Sequence, residues 1–377
     1  MAIFKESAPH LRRKASVTRM MVDVLIALAP TLIFSFVVYP IKTLTFYLIS
    51  VAIMIGSEFV YTGLRNMMPY DGVKHSFKEK FAYAYKGKFN QNNILTCAIS
   101  AIIFTLIMPA GAPIYAVIIG ALVGIILGKL VFGGLGSNIF NPAAVGMLFA
   151  KVCFGSQCAK NVPTWFYQVA DVELAQTVLT NTADSGLNGL VTNFNNANLL
   201  DMFLGKMYGT LGEVYAVTIL VGAIYLLIRR SADIRVMLPY LGGFALFSLV
   251  AGLSFFAVDG STNPFTFTLF MLLSGGVLFG GVFMLTDPVT SPINAPSRII
   301  YALVAAVFTI FIRLFAALPE GVGFSILIAN MIACVLDHYE WSNPRYTWKK
   351  FLAIGLLVVI PAITIFLVIK FGGVYHA

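Results

Sequence analysis

Long apolar stretches alternate with short polar ones along nearly the whole chain. Runs of spanning length lie near 20–40, 43–64, 93–109, 112–133, 139–154, 211–229, 236–257, 267–285, 298–317, 321–337 and 350–372. A helix rises ~1.5 Å per residue and the bilayer hydrocarbon is ~30 Å thick, so about 20 apolar residues cross it. The pattern predicts an all-α integral membrane protein of about eleven transmembrane helices, the fifth of them short. Only one connecting segment is long: 155–210 is rich in Asn, Thr, Gly and Asp and forms either a small cap or a flexible tether. The chain therefore divides into an N-terminal segment 1–19, a membrane block 20–154, the loop 155–210, a second block 211–345, and 346–377 with one further helix.

Composition supports lipid as the solvent. The chain is 59% hydrophobic and 11% charged, with mean hydropathy +0.87, against about 25% charged residues in soluble proteins. The net charge of +9 invites a nucleic-acid partner, but its distribution excludes one. Basic residues gather in alternate connections, as the positive-inside rule requires. With Arg12, Arg13, Lys14 and Arg19 cytoplasmic, the 65–92 loop with Arg65, Lys74, Lys78, Lys80, Lys86 and Lys88 falls inside. Arg229, Arg230, Arg235, Arg298, Arg345, Lys349 and Lys350 fall inside too. The loop 155–210 then lies outside. Asp23 and the bulky residues that end the first run do not resemble a cleavage site, so that run reads as a span. Cys153 and Cys158 either pair or stay free. With four cysteines and four histidines, neither a metal site nor paired haem ligands are predicted.

Two segments resemble each other. Phe132-Gly133-Gly134 leads through Asn138 to Asn141-Pro142, and Phe279-Gly280-Gly281 leads through Thr286 to Asp287-Pro288. Asn or Asp before Pro is a helix-start signal. Each segment reads as a helix that breaks and restarts. Backbone freed from a helix inside a membrane lines a cavity or is buried in protein, so matched breaks point to a binding site between them. The other reading is that Phe-Gly-Gly merely permits close helix packing.

Charges within the apolar runs are few, and each costs about 3 kcal/mol on insertion scales. Glu58, Lys129, Asp287, Asp337 and Glu213 stand at or near membrane depth. Glu58, Asp287 and Asp337 form an ion path, or Glu58 pairs with Lys129 and the rest are interfacial caps. Arg313, near a helix end, reads as a side chain that snorkels to the interface.

These residues carry a family resemblance. Phe132-Gly-Gly…Asn138…Asn141-Pro142-Ala143, Gly212-Glu213-Val214, Thr286-Asp287-Pro288 and Pro319-Glu320-Gly321…Ala329-Asn330…Asp337-His338 resemble the family that contains RnfD and NqrB. Ser7-Ala8-Pro9-His10-Leu11-Arg12 looks like the start of RnfD, and the longer N-terminal extension of NqrB is absent, so the resemblance favours RnfD. It covers roughly 7–345 and leaves the last helix unexplained. It implies two inverted repeats with a core like that of urea transporters, and two flavins. FMN would be joined by a phosphoester to a threonine of the outer loop, in a pattern that Asp171-Val-Glu-Leu174-Ala175-Gln176-Thr177 follows at its ends and departs from at Leu174 and Gln176. Thr177 is the expected site, with Thr180 and Thr182 behind it. Riboflavin would lie in the membrane beside Asn138 and Asn141, whose amides both donate and accept hydrogen bonds. The function implied is that of one component of a ferredoxin:NAD⁺ oxidoreductase that moves Na⁺ or H⁺ across the inner cell membrane. Its partners would be the other members of the Rnf complex (RnfA, RnfB, RnfC, RnfE and RnfG), with a flavin transferase for maturation. An NqrB-type component of a quinone reductase is the alternative within the family, and a flavin-free solute channel the alternative outside it.

Overall fold

The computed structural model describes residues 16–69, 75–158, 187, 190–192, 194–195, 197–205, 209–260, 262–316, 321–338 and 345–371. Among these the chain is helical, with one isolated bridge between Pro109 and Thr210. Ser16 caps α1 (Val17–Val38) by accepting the Arg19 amide at 3.2 Å. Only Tyr39 separates α1 from α2 (Pro40–Arg65), where proline opens the helix at the position that tolerates its missing N–H. Ser35 and Thr43 close this turn with hydroxyls 2.9 Å apart. Helix α3 (Phe77–Tyr85), held by a Ser76/Glu79 capping box, lies in the segment the hydropathy pattern leaves as a polar loop. Then come α4 (Gln91–Ile107), α5 (Ile114–Ile125) running into a π-turn at Ile126–Leu130, and α6 (Pro142–Cys158).

The second half contains α7 (Leu199–Leu204), α8 (Ala216–Arg229) and α9 (Ile234–Asp259). Helix α10 (Pro264–Leu273) breaks at Ser274 and continues, bent by 67°, as α11 (Val277–Phe279) with a π-turn over Gly280–Met284. Helices α12 (Ala295–Phe315), α13 (Gly321–Leu336) and α14 (Trp348–Phe371) complete the bundle. Each of the eleven apolar runs therefore falls on a helix. Among the described residues five helices are, by length and composition, able to cross a membrane, or six with the bent pair counted as one span. The remaining apolar helices, Gln91–Ile107, Ile114–Leu130, Ala216–Arg229 and Val322–Leu336, are shorter.

Packing follows small residues and polar cross-links. Gly120 and Gly124 of α5 and Gly128 of the following π-turn form one stripe against α6. A Cβ on Gly124 would lie 2.6 Å from the Pro142 carbonyl, and one on Gly146 would lie 2.5 Å from the Gly120 carbonyl. Backbones meet there with no room for a methyl group. Helices α1 and α8 pack together, and Asp23 pins them. Its carboxylate, 3% exposed, accepts from Ser231 at 2.7 Å and Arg229 Nε at 3.2 Å, with Tyr225 at 3.3 Å. Helix α14 rests on α9 and α12, and Phe351, Val359, Ile363 and Phe371 on its outer side are exposed apolar side chains suited to lipid. All four cysteines are free thiols.

Candidate functional site

The break between α5 and α6 is built by backbone geometry that glycine alone adopts freely. Gly133, Gly134 and Gly136 have φ of +119°, +88° and +80°, in the left-handed region that costs other residues. Arg65 at the end of α2 donates from Nη1 to the Gly133 carbonyl, holding the loop on α2. Asn141 then restarts the chain as α6. Its Oδ1 accepts the Ala143 and Ala144 amides at 3.0 and 3.4 Å, as an N-cap does. Its Nδ2 donates to the Met284 carbonyl at 3.3 Å, so one side chain ties the first break to the π-turn that precedes the second.

The second irregular stretch departs from the sequence expectation. Asp287-Pro288 does not open a helix: α12 begins at Ala295, behind Asn294. The Asp287 carboxylate accepts the Val289 amide at 3.1 Å, a local turn. Pro292 then restricts Ser291 away from helical angles, which delays the helix. Arg298 and Asp337 hold this stretch from either side, Arg298 Nε donating to the Pro292 carbonyl at 2.7 Å and Asp337 Oδ1 accepting the Ile293 amide at 2.9 Å. Asp337 thus latches the loop and does not line the cavity described next.

Between the two breaks lies a cavity of 490 Å³, within the ~300–1,000 Å³ range of small-molecule sites. Met20, Met21 and Val24 of α1, Ile99 and Ile103 of α4, and Phe283 give it an apolar wall. Asn138, Asn141, Thr96, Lys129, Thr286 and Asp287 supply polar groups. The structure thereby brings Asn138, Asn141 and Asp287 together on one space. Asn138 is 9% exposed, and its Nδ2 makes a long 3.4 Å contact to the Phe140 carbonyl.

Glu58 sits behind this cavity, paired with Lys129 at 3.3 Å, each side chain 2% exposed. Asn93 Nδ2 donates to Glu58 Oε1 at 2.9 Å. Lys129 donates to Thr96 Oγ1 at 3.1 Å and approaches Cys97 Sγ at 3.3 Å. Gly134 packs over the carboxylate, a Cβ there falling 3.7 Å from Glu58 Oε1.

Two other charges stand elsewhere than expected. Arg313 does not snorkel: it is 2% exposed and donates to the Met271 and Ser274 carbonyls at 2.8 and 2.9 Å. A helix broken inside a low-dielectric medium leaves carbonyls that need such a donor, so the break between α10 and α11 requires this guanidinium. Glu213 precedes α8 rather than beginning it, bonded to Thr210 at 3.0 Å. Its carboxylate lies against Gly276, at the positive end of α11. Asp23 entered the sequence reading only as an argument against a cleavage site; its cross-linking role was missed, though a carboxylate early in an apolar run was the signal, and its partner Ser231 lines the cavity. Thr177, Thr180 and Thr182 lie outside the described residues.

The NQR2, RnfD, RnfE family model matches residues 4–345. The chain belongs to this family. Relatives include the D component of the Na⁺-translocating ferredoxin:NAD⁺ oxidoreductase complex of Acetobacterium woodii, 28% identical over 88% of this chain and 92% of the relative. The proton-translocating counterpart of Clostridium ljungdahlii is 28% identical over 88% of this chain and 93% of the relative. The B component of the Na⁺-translocating NADH-quinone reductase of Chromohalobacter salexigens is 34% identical over 64% of this chain, and the match spans only 57% of the relative's length. Family membership and the long apolar helices together make this a multi-pass membrane protein.

Proposed function

We propose that the chain is the flavin-carrying, RnfD-type membrane component of a ferredoxin:NAD⁺ oxidoreductase complex, passing electrons across the membrane in step with Na⁺ or H⁺. The observation that carries this reading is the cavity between the two breaks, apolar on one side and lined by amides, a hydroxyl and charges on the other. Such walls fit an isoalloxazine, whose faces are apolar and whose edge carries donors and acceptors. The near-full coverage of the two ferredoxin:NAD⁺ oxidoreductase relatives favours that assignment. The higher identity to the quinone-reductase relative keeps the NqrB-type reading as second, and quinone reduction by the purified complex would decide for it.

A bound flavin supplies the one- and two-electron chemistry. The chain's residues that line the cavity would bind and orient it: Asn138 and Thr286 would offer hydrogen bonds to its polar edge, and Met20, Val24 and Phe283 would supply the apolar wall that excludes water. Asn141 fixes the distance between the two breaks. Glu58 and Asp287 are the ion-path carboxylates of this reading, with Asp337 holding the loop that carries Asp287. A second flavin, FMN, is proposed on Thr177 in the outer loop.

The fold proposal is two inverted repeats of five crossings each, with α14 as an eleventh, the N-terminus cytoplasmic and 155–210 outside. It is supported by an order of neighbours that recurs. Helix α2 packs on α4 and α5, and α5 on α6; α9 packs on α10 and α12, and α12 on α13. Helices α1 and α8, and α6 and α13, meet across the halves.

Intact mass and in-gel flavin fluorescence of the denatured chain, expressed with its flavin transferase, test the reading. An FMN-sized adduct lost in Thr177→Ala supports it. An adduct that persists moves the site to Thr180 or Thr182, and a wild-type chain with neither covalent nor extractable flavin refutes it.

A further inference from the structure

We infer that Lys129 is a movable counter-cation, neutralising Glu58 until negative charge enters the cavity and then turning toward that charge, so that Glu58 captures one monovalent cation in its place. The inference rests on the cavity being the redox site proposed above.

The geometry separates a fixed partner from a mobile one. The Glu58 carboxylate is clamped: Asn93 holds Oε1 at 2.9 Å, and the glycine loop packs over it. The Lys129 ammonium ends a flexible four-carbon stem. It is spread over Thr96, Cys97 and Glu58. Glu58 Oε2 faces it at 3.3 Å yet receives no aligned hydrogen bond. Ionisable residues at membrane depth pair with one another and mark ion pathways, and this oxygen, freed of the ammonium, is open to a small cation. Lys129 and Thr96 also line the cavity, so the ammonium borders both the Glu58 carboxylate and the space that would receive the charge.

The acidic groups facing Lys129 are Glu58 and, across the cavity, Asp287. In the resting state one ammonium serves one clamped carboxylate. An electron delivered to the cavity adds one negative charge in a medium of low dielectric, where an unbalanced charge is costly. Lys129 moves to it, and one Na⁺ or H⁺ enters at Glu58 Oε2. One electron and one cation have then entered, and the region keeps its net charge. When the electron leaves, Lys129 returns and displaces the cation.

Glu58 protonation is read by dicyclohexylcarbodiimide, which adds to buried carboxylic acids and not to ion-paired carboxylates. The intact complex is labelled in Na⁺-free medium, oxidised and then electrochemically reduced, and the Glu58 peptide is weighed. Labelling at least tenfold higher in the reduced state is expected. If added Na⁺ suppresses it, Na⁺ is the captured ion; if Na⁺ has no effect, the ion is H⁺. Equal labelling in both states while the flavin spectrum bleaches overturns the switch and leaves the flavin reading standing. In the flavin-free chain, Lys129→Gln is expected to raise labelling tenfold by itself. A Lys129→Gln chain that stays unlabelled shows that another group neutralises Glu58 and overturns the inference without reference to any flavin. A complex without flavin overturns both readings.

Discussion

Alanine at Gly124 and alanine at Gly242 should act in opposite directions, although each adds one methyl group to a helix interior. At Gly242 on α9 a new Cβ meets nothing within 4 Å. The substitution there raises helix propensity by up to about 1 kcal/mol. At Gly124 the new Cβ would stand 2.6 Å from the Pro142 carbonyl oxygen and 3.0 Å from Gly146 Cα, where ordinary contact begins near ~3.5 Å. Both obstacles are backbone, so no rotamer relieves them and α5 must move away from α6. Overpacking of this kind costs about 1–3 kcal/mol, enough to outweigh the propensity gain. The displaced residue, Pro142, follows Asn141, so the same shift lengthens the 3.3 Å bond from Asn141 to Met284 and distorts the cavity. Thermal unfolding of the two variants in the same detergent and at the same scan rate should show Gly124→Ala lowered by a few degrees, with flavin released. Gly242→Ala should be unchanged or higher. A Gly124→Ala protein as stable as wild type, with its flavin retained, would refute the close-packed seam and its link to the site.

Other consequences are specific to single side chains. Arg313→Met should destabilise more than Gly124→Ala, because each buried carbonyl left without its donor costs about 1–3 kcal/mol. Arg313→Lys should restore only part, lacking the fork that serves both carbonyls, and melting curves check both. Asn141→Ala should lose its cap, about 1 kcal/mol, and bound flavin with it. Asn138→Ala should leave the melting temperature unchanged and weaken flavin binding, since its one intraprotein hydrogen bond is long; titration of deflavinated protein separates the two. Asp23→Asn should cost about 2 kcal/mol of the charge-assisted bonds to Arg229 and Ser231, read by thermal melting.

The positions of the helices were legible because lipid demands long apolar runs, and the break at Gly133–Asn141 was legible because Asn-Pro there does cap a helix. The place where the chain restarts after the second break was not. Asp287-Pro288 carries the same local signal, but Pro292 would be the fifth helical residue, past the first turn that tolerates proline, and the start moves to Asn294-Ala295-Pro296. Arg313 was misread because proximity to a helix end says nothing about a carbonyl pair exposed by a break 39 residues away in sequence. The Glu58–Lys129 pair was one of two readings open from residue types alone. That Lys129 also borders the cavity depends on the π-turn at Ile126–Leu130, which no propensity predicts. The α5 glycines stand at a spacing of four, a helix-packing signal present in the sequence and passed over beside the more conspicuous Phe-Gly-Gly.

The central claim is that the space between the two breaks holds a non-covalent flavin. Val24 of α1 lines that space, and Val24→Trp would fill part of it with an indole while leaving the outer loop untouched. The measurement is the amount of acid-extractable flavin per chain in wild type and Val24→Trp, each first shown to give a single cooperative melting transition. One extractable flavin per wild-type chain, lost in the variant while any covalent adduct persists, is the predicted result. Full extractable flavin in a folded Val24→Trp protein, or none in the wild type, would contradict it.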